Sequence, residues 1–86
     1  MPIISRFLGI LISMYWNDHA PPHFHARYGG DQAQIAIDSG EVIHGFLPPR
    51  ALWLVQEWTD LHRAELIADW QRAEREEPLA SIEPLP

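Results

Sequence analysis

The sequence predicts a small α+β domain in which an antiparallel four-stranded meander precedes a C-terminal helical region. Three observations support this fold class. Short segments of alternating apolar and polar residues, separated by turn signals, occupy the first half of the chain. After Pro48-Pro49 the apolar residues recur with the period of a helix. The chain has 86 residues, which is enough for one small domain with a modest core.

Four segments carry the strand pattern. The first, Phe7–Trp16, is rich in Ile, Leu and aromatic residues, and we expect a single central strand there. Pro21 and Pro22 follow it and break it, because proline lacks an amide donor and forces the preceding residue into extended geometry. Three further alternating segments follow, separated by glycine-containing turns: His23–Tyr28, Gln32–Asp38 and Glu41–Phe46.

Helical periodicity covers about residues 49 to 76, and the proline pair at its beginning suits the first turn of a helix. Thr59-Asp60 could cap a second segment, so one kinked helix and two consecutive helices both fit the pattern. We expect this helical layer to pack on one face of the sheet. Residues 1–78 form the predicted single domain, and residues 79–86 form a proline-punctuated C-terminal tail.

Composition and charge restrict the function. The chain contains no cysteine, which leaves His, Asp and Glu as its good metal ligands and favours a cytoplasmic location. Its net charge of -6 with neutral histidines repels nucleic acid at long range. The apolar run Phe7–Ile12 is too short to cross a bilayer. We therefore expect a cytoplasmic protein with no membrane segment and no broad affinity for nucleic acid.

The histidines are concentrated in one part of the chain, since His19, His23 and His25 lie within seven positions. Alternate residues of a strand share a face, so His23, His25 and Arg27 are expected to project together from an accessible sheet surface. Two imidazoles at this spacing can reach one metal ion. A His-x-His metal-binding protein of enzymatic or sensory type, holding a divalent transition metal such as zinc, is therefore one alternative for the function.

Other residues could complete that site. His19 or His44 could supply a third nitrogen, and Asp18 could bind the ion or accept a hydrogen bond from one of its ligands. The candidate metal-binding residues are Asp18, His19, His23, His25 and His44. A simpler interpretation is that the histidines only decorate a solvent-exposed face.

A metal-independent ribonuclease is an alternative. His23 and His25 would then act as proton donor and acceptor, and Arg27 would stabilise a phosphate transition state. These three residues are the candidate catalytic residues. The acidic net charge counts against this alternative, since it disfavours an approach to RNA.

Five motifs run through most of the chain: Pro2-x-Ile4-Ser5-Arg6-Phe7, Met14-Tyr15-x-Asn17-Asp18-His19-x-Pro21-Pro22-His23-Phe24-His25, Gly40-Glu41-Val42, Leu47-Pro48-Pro49-Arg50-Ala51-Leu52 and Glu57-Trp58-x-x-Leu61-His62. Together they resemble the motifs of the short bacterial proteins of domain of unknown function family 4160. The resemblance implies a toxin–antitoxin-like pair with a small cognate protein partner, and the main function that we expect is a partner-binding component of such a pair. The surface of His19, His23, His25 and Arg27 would be its functional face. A homodimer is a further expectation, because a small domain gains stability by self-association.

Overall fold

The first half of the chain forms an antiparallel sheet, and the second half forms a helix that packs on one face of it. The computed structural model describes residues 2–86. The sheet has five strands, which lie side by side in the order of the sequence. The elements are β1 (Ile3–Phe7), β2 (Ile10–Ser13), β3 (His23–Tyr28), β4 (Asp31–Ala36), β5 (Val42–Gly45) and α1 (Pro49–Glu74). The predicted α+β class and the meander are confirmed.

The predicted number of four strands is wrong, because the first apolar segment contains a hairpin. Leu8 and Gly9 both have positive φ, at 49° and 82°, and they connect Phe7 to its paired residue Ile10. Positive φ at both central residues is the geometry of a type I′ turn, which joins adjacent antiparallel strands. The turn escapes prediction because leucine rarely adopts this conformation and because apolar residues surround Gly9.

The helical region is one helix with a kink at His62, whose φ of -122° and ψ of 23° are not helical. The Thr59 hydroxyl donates a hydrogen bond of 2.7 Å to the carbonyl of Val55, one turn back. Such back-bonding bends helices. Thr59 therefore does not cap a second helix, and the alternative of two consecutive helices is wrong.

The core lies between α1 and the face of the sheet that carries Phe24, Ala26 and Ile35, all completely buried. Trp58 of α1 packs against the rings of Phe7 and Phe24, with centroid distances of 5.3 and 5.7 Å. The opposite face carries the histidines of β3, and its residues His25, Arg27 and His44 are partly or fully exposed.

The C-terminal tail packs along the domain. Ile82 is buried, and its N–H donates to the carbonyl of Ile4 in the edge strand β1. The Trp58 indole N–H donates to the carbonyl of Glu83, and the Ala80 N–H donates to the Asp69 carboxylate. The tail thus covers one edge of the sheet. Within residues 2–86, α1 lacks the length of apolar sequence that a membrane span requires.

Candidate metal centre

The loop between β2 and β3 carries Asp18 and is tied to the end of α1. The Trp16 indole N–H donates to the carbonyl of Glu77 at 2.8 Å, and the Asn17 N–H points to the carbonyl of Ala73 at 3.4 Å. Asn17 has a φ of 56°, a conformation that asparagine tolerates better than most residues. These contacts fix the loop at the beginning of β3.

Asp18 meets the two histidines of β3 at a single oxygen atom. Its Oδ2 lies 3.0 Å from Nε2 of His23 and 3.2 Å from Nε2 of His25. The two imidazole rings lie side by side, with centroids 5.3 Å apart. One ligand atom from each of the three residues lies within 4.8 Å of the other two. The predicted placement of both imidazoles on one face of the strand is therefore confirmed.

The orientation of His23 is set by its second nitrogen. Nδ1 lies 2.7 Å from the carbonyl oxygen of Pro21. A carbonyl oxygen only accepts hydrogen bonds, so Nδ1 carries a proton and donates it there. Nε2 is thereby left facing the Asp18 carboxylate. The His23 side chain is 1% exposed and packs against the ring of Trp70 at 5.3 Å.

Asp18 is held in its ionised form. Partial burial raises the pKa of its carboxyl group, but this effect is outweighed by the hydrogen bond from His25, the hydrogen bond from the His19 N–H and the nearby charges of His23 and His25. The net result is a pKa below the ordinary value of an aspartate. The residue is therefore a carboxylate at neutral pH.

This arrangement requires a positive charge between His23 and Asp18. Nε2 of His23 and the ionised oxygen of Asp18 would otherwise be two lone pairs 3.0 Å apart. Either a second proton on His23 or a cation bound by both atoms removes the conflict. His25 presents its Nε2 to the same oxygen at 3.2 Å, so ring nitrogens of both histidines converge on Oδ2 of Asp18.

His25 is the imidazole that solvent can reach, since 24% of its side chain is exposed. Its ring meets that of Tyr15 edge-on at 4.5 Å. An open cleft of about 450 Å³ lies beside it and is also lined by Gln34 of β4 and His44 of β5. The strand register explains this composition, because His25 lies opposite Gln34, and Gln34 lies opposite His44.

The remaining predicted residues lie around this group. His19 is 76% exposed, and its Nδ1 lies 3.0 Å from the other oxygen of Asp18. His44 is exposed and lines the cleft without joining the three converging ligands. Arg27 is exposed and lies on the sheet beyond His25. Of the five candidate metal-binding residues, Asp18, His23 and His25 form the converging group.

One expectation about this surface is wrong. The strand pattern predicts an accessible His23, but Trp70, Pro21 and Asp18 surround its ring. The sequence offers no sign of this contact because Trp70 lies 47 residues away on the helix. The pattern also misses Tyr15 as part of the site, since its segment is predicted to be a continuous strand.

Fold and site together define a small α+β domain with a His₂Asp cluster on the face of the sheet opposite Phe24 and Ala26. The family model described as Domain of unknown function (DUF4160) matches residues 9–71. The chain belongs to this family. No curated protein and no solved structure matches the chain.

Proposed function

We propose that this protein binds a divalent transition-metal ion, zinc being the best fit, through Asp18, His23 and His25. Two imidazole nitrogens and one carboxylate oxygen are a ligand set that zinc uses in catalytic sites. The chain lacks cysteine, so no thiolate competes for the ion. The observation that carries the proposal is the orientation of His23.

Ligand histidines in metal sites usually donate their second N–H to a carbonyl or carboxylate, which fixes the ring and its tautomer. His23 has this arrangement, because Nδ1–H donates to Pro21 and Nε2 is directed to the centre of the cluster. Burial of the ring against Trp70 holds the orientation. The imidazole is therefore preorganised to bind a cation.

The separations of the ligand atoms also suit a metal. With zinc–ligand bonds of roughly 2.0 to 2.1 Å, neighbouring ligands of a tetrahedral ion lie about 3.3 to 3.4 Å apart. The Asp18 oxygen lies 3.0 and 3.2 Å from the two nitrogens. Both of these separations are within a few tenths of an ångström of the tetrahedral spacing, and the ligand atoms of the two histidines lie within 4.8 Å of each other.

Three protein ligands leave one position of a tetrahedral ion for water or substrate, which is typical of catalytic and not of structural zinc. His25 borders the open cleft, so that position would be accessible from solvent. A metal centre of the enzymatic or sensory type is therefore favoured over a structural one.

Zinc titration of the purified, chelator-treated protein tests the proposal. We expect one zinc ion per chain and a loss of at least about tenfold in affinity for His25→Gln, since even outer-shell partners of metal sites contribute 10–100-fold. His44→Gln is the matched control because it removes an exposed imidazole from the same face. The proposal fails if the native protein binds no zinc, or if both variants bind it like the native protein.

A second candidate function is binding of a small cognate protein partner, as in a toxin–antitoxin-like pair. It is supported by a groove of about 280 Å³ at the other end of the sheet, where Leu8, Tyr28 and Leu54 lie beside Arg50. Within residues 2–86, the Arg50 guanidinium has no hydrogen-bond or ion-pair partner. An apolar side chain next to a carboxylate on the partner would suit this groove.

Co-expression with a candidate cognate protein of the toxin–antitoxin-like pair tests the second candidate. We expect the two to co-purify and Arg50→Glu to abolish the complex, because the substitution reverses the charge beside the groove. The His23→Ala/His25→Ala double variant asks whether the histidine face takes part instead. Co-purification unaffected by either change would refute both surfaces.

A further inference from the structure

The face of the sheet around His25 differs in charge from the rest of the molecule. The chain has 12 acidic and 6 basic residues, yet no Asp or Glu lines either of the two clefts that border His44. The same is true of a small depression of about 30 Å³ next to them. Histidine, glutamine, tyrosine and arginine supply the polar groups there instead.

Arg27 is the cation that lies beside His25 on this face. It follows His25 by two positions in β3, so their side chains project together with a backbone spacing of about 6 to 7 Å. Both residues line the small depression, together with Ser13, Tyr15 and Gln32. Gln32 lies directly opposite Arg27 in the strand register.

The Arg27 guanidinium has no hydrogen-bond or ion-pair partner in the described part of the chain. Three of the six arginines, Arg63, Arg72 and Arg75, pair with a carboxylate on α1 or just after it. Arg27 instead borders a depression that no Asp or Glu lines. Its five N–H donors are therefore free for a ligand with oxygen acceptors.

We propose that this face binds an oxyanion, a phosphate or carboxylate group, held between Arg27 and the metal ion at Asp18, His23 and His25. This inference rests on the proposed metal site and specifies its ligand. An arginine fork matches the oxygens of either group, and the ion would accept one of them at its open position. The amide of Gln32 and the hydroxyl of Ser13 offer further donors.

The test uses the cobalt-loaded full chain, because the visible absorption of cobalt reports directly on ligands that reach the ion. Cobalt affinity is measured first, and inorganic phosphate and acetate are then titrated separately at constant ionic strength. Arg27→Gln is compared with Arg50→Gln, which removes the same charge from an exposed position outside both clefts and the depression.

In the native protein we expect phosphate or acetate to change the cobalt spectrum, and the tighter binder identifies the class of oxyanion. Arg27→Gln should weaken that binding by about 10- to 100-fold, the usual effect of losing charge-assisted hydrogen bonds. Arg50→Gln should leave it within about twofold, since its charge is far from the ion. Cobalt affinity should be equal in all three proteins.

Two results would overturn the inference while leaving the metal site intact. In the first result, cobalt binds to the native protein but neither anion alters its spectrum. In the second result, Arg27→Gln and Arg50→Gln bind the anion equally well. If the native protein does not bind cobalt, the proposed metal site fails first and the oxyanion site fails with it.

Discussion

Replacing Asp18 by asparagine should remove about half or more of the stability that zinc gives to the fold. The asparagine side chain has the same shape, so the loop anchored by Trp16 and Asn17 should keep its position. What disappears is the negative charge on the oxygen that lies 3.0 and 3.2 Å from the two imidazoles. The variant therefore separates metal binding from folding.

The expected magnitude follows from linkage. A ligand at 100 times its Kd stabilises the folded state by about 2.7 kcal/mol. If Asp18→Asn weakened zinc binding by about 10- to 100-fold, the same zinc concentration would give about 1.4 to 0.4 kcal/mol. Each kcal/mol shifts Tm by roughly 4–8 °C in a domain of this size, so zinc should raise Tm by roughly 10–20 °C in the native protein.

Thermal unfolding followed by circular dichroism, with and without zinc, measures both proteins. We expect the two metal-free forms to melt within a few degrees of one another, and the zinc-dependent shift of Asp18→Asn to be about half that of the native chain or smaller. His44→Gln serves as the control that keeps the shift. Equal zinc-dependent shifts in the native protein and in Asp18→Asn would refute the assignment of Asp18 as a ligand.

Three further predictions concern stability, measured by urea unfolding of the metal-free protein. Gly45→Ala should lose about 2–5 kcal/mol, because the new Cβ would lie 2.3 Å from the Gln32 carbonyl oxygen and φ is +84°. At Gly30 a new Cβ would meet open space, so Gly30→Ala should change the free energy of unfolding by less than about 0.5 kcal/mol. Equal losses in Gly30→Ala and Gly45→Ala would contradict this geometric explanation. Leu8→Asn should raise the free energy of unfolding by about 1 kcal/mol, because Leu8 has a positive φ and is 63% exposed. Leu8→Ala keeps the strained conformation, so an equal gain in that variant would contradict this explanation. Because folding lowers the Asp18 pKa, the ionised carboxylate stabilises the folded state. This contribution is complete above the ordinary aspartate pKa of about 3.9 and is lost as the pH falls through the pKa that Asp18 has in the folded state. Stability should therefore fall more steeply below about pH 4 in the native protein than in Asp18→Asn, and parallel curves would exclude this effect.

Local sequence patterns are sufficient for most of the fold. The predicted bounds of β3 are the observed ones, because alternation and flanking turn signals mark both ends. The hairpin at Leu8 is not predictable, since its turn places a leucine in a conformation that local preferences disfavour. The packing of the two strands on either side of it outweighs that local cost.

The sequence by itself determined that His23 and His25 share a face, because the period of a strand is a local property. It also placed Asp18 near them, five positions before His23. Only the tertiary structure decided which imidazole is buried. The ring of Trp70 comes from the far end of α1, and the loop that carries Asp18 is held by carbonyls of the same helix end. Contacts between residues so distant in the chain depend on how the helix lies against the sheet, and no local pattern encodes that.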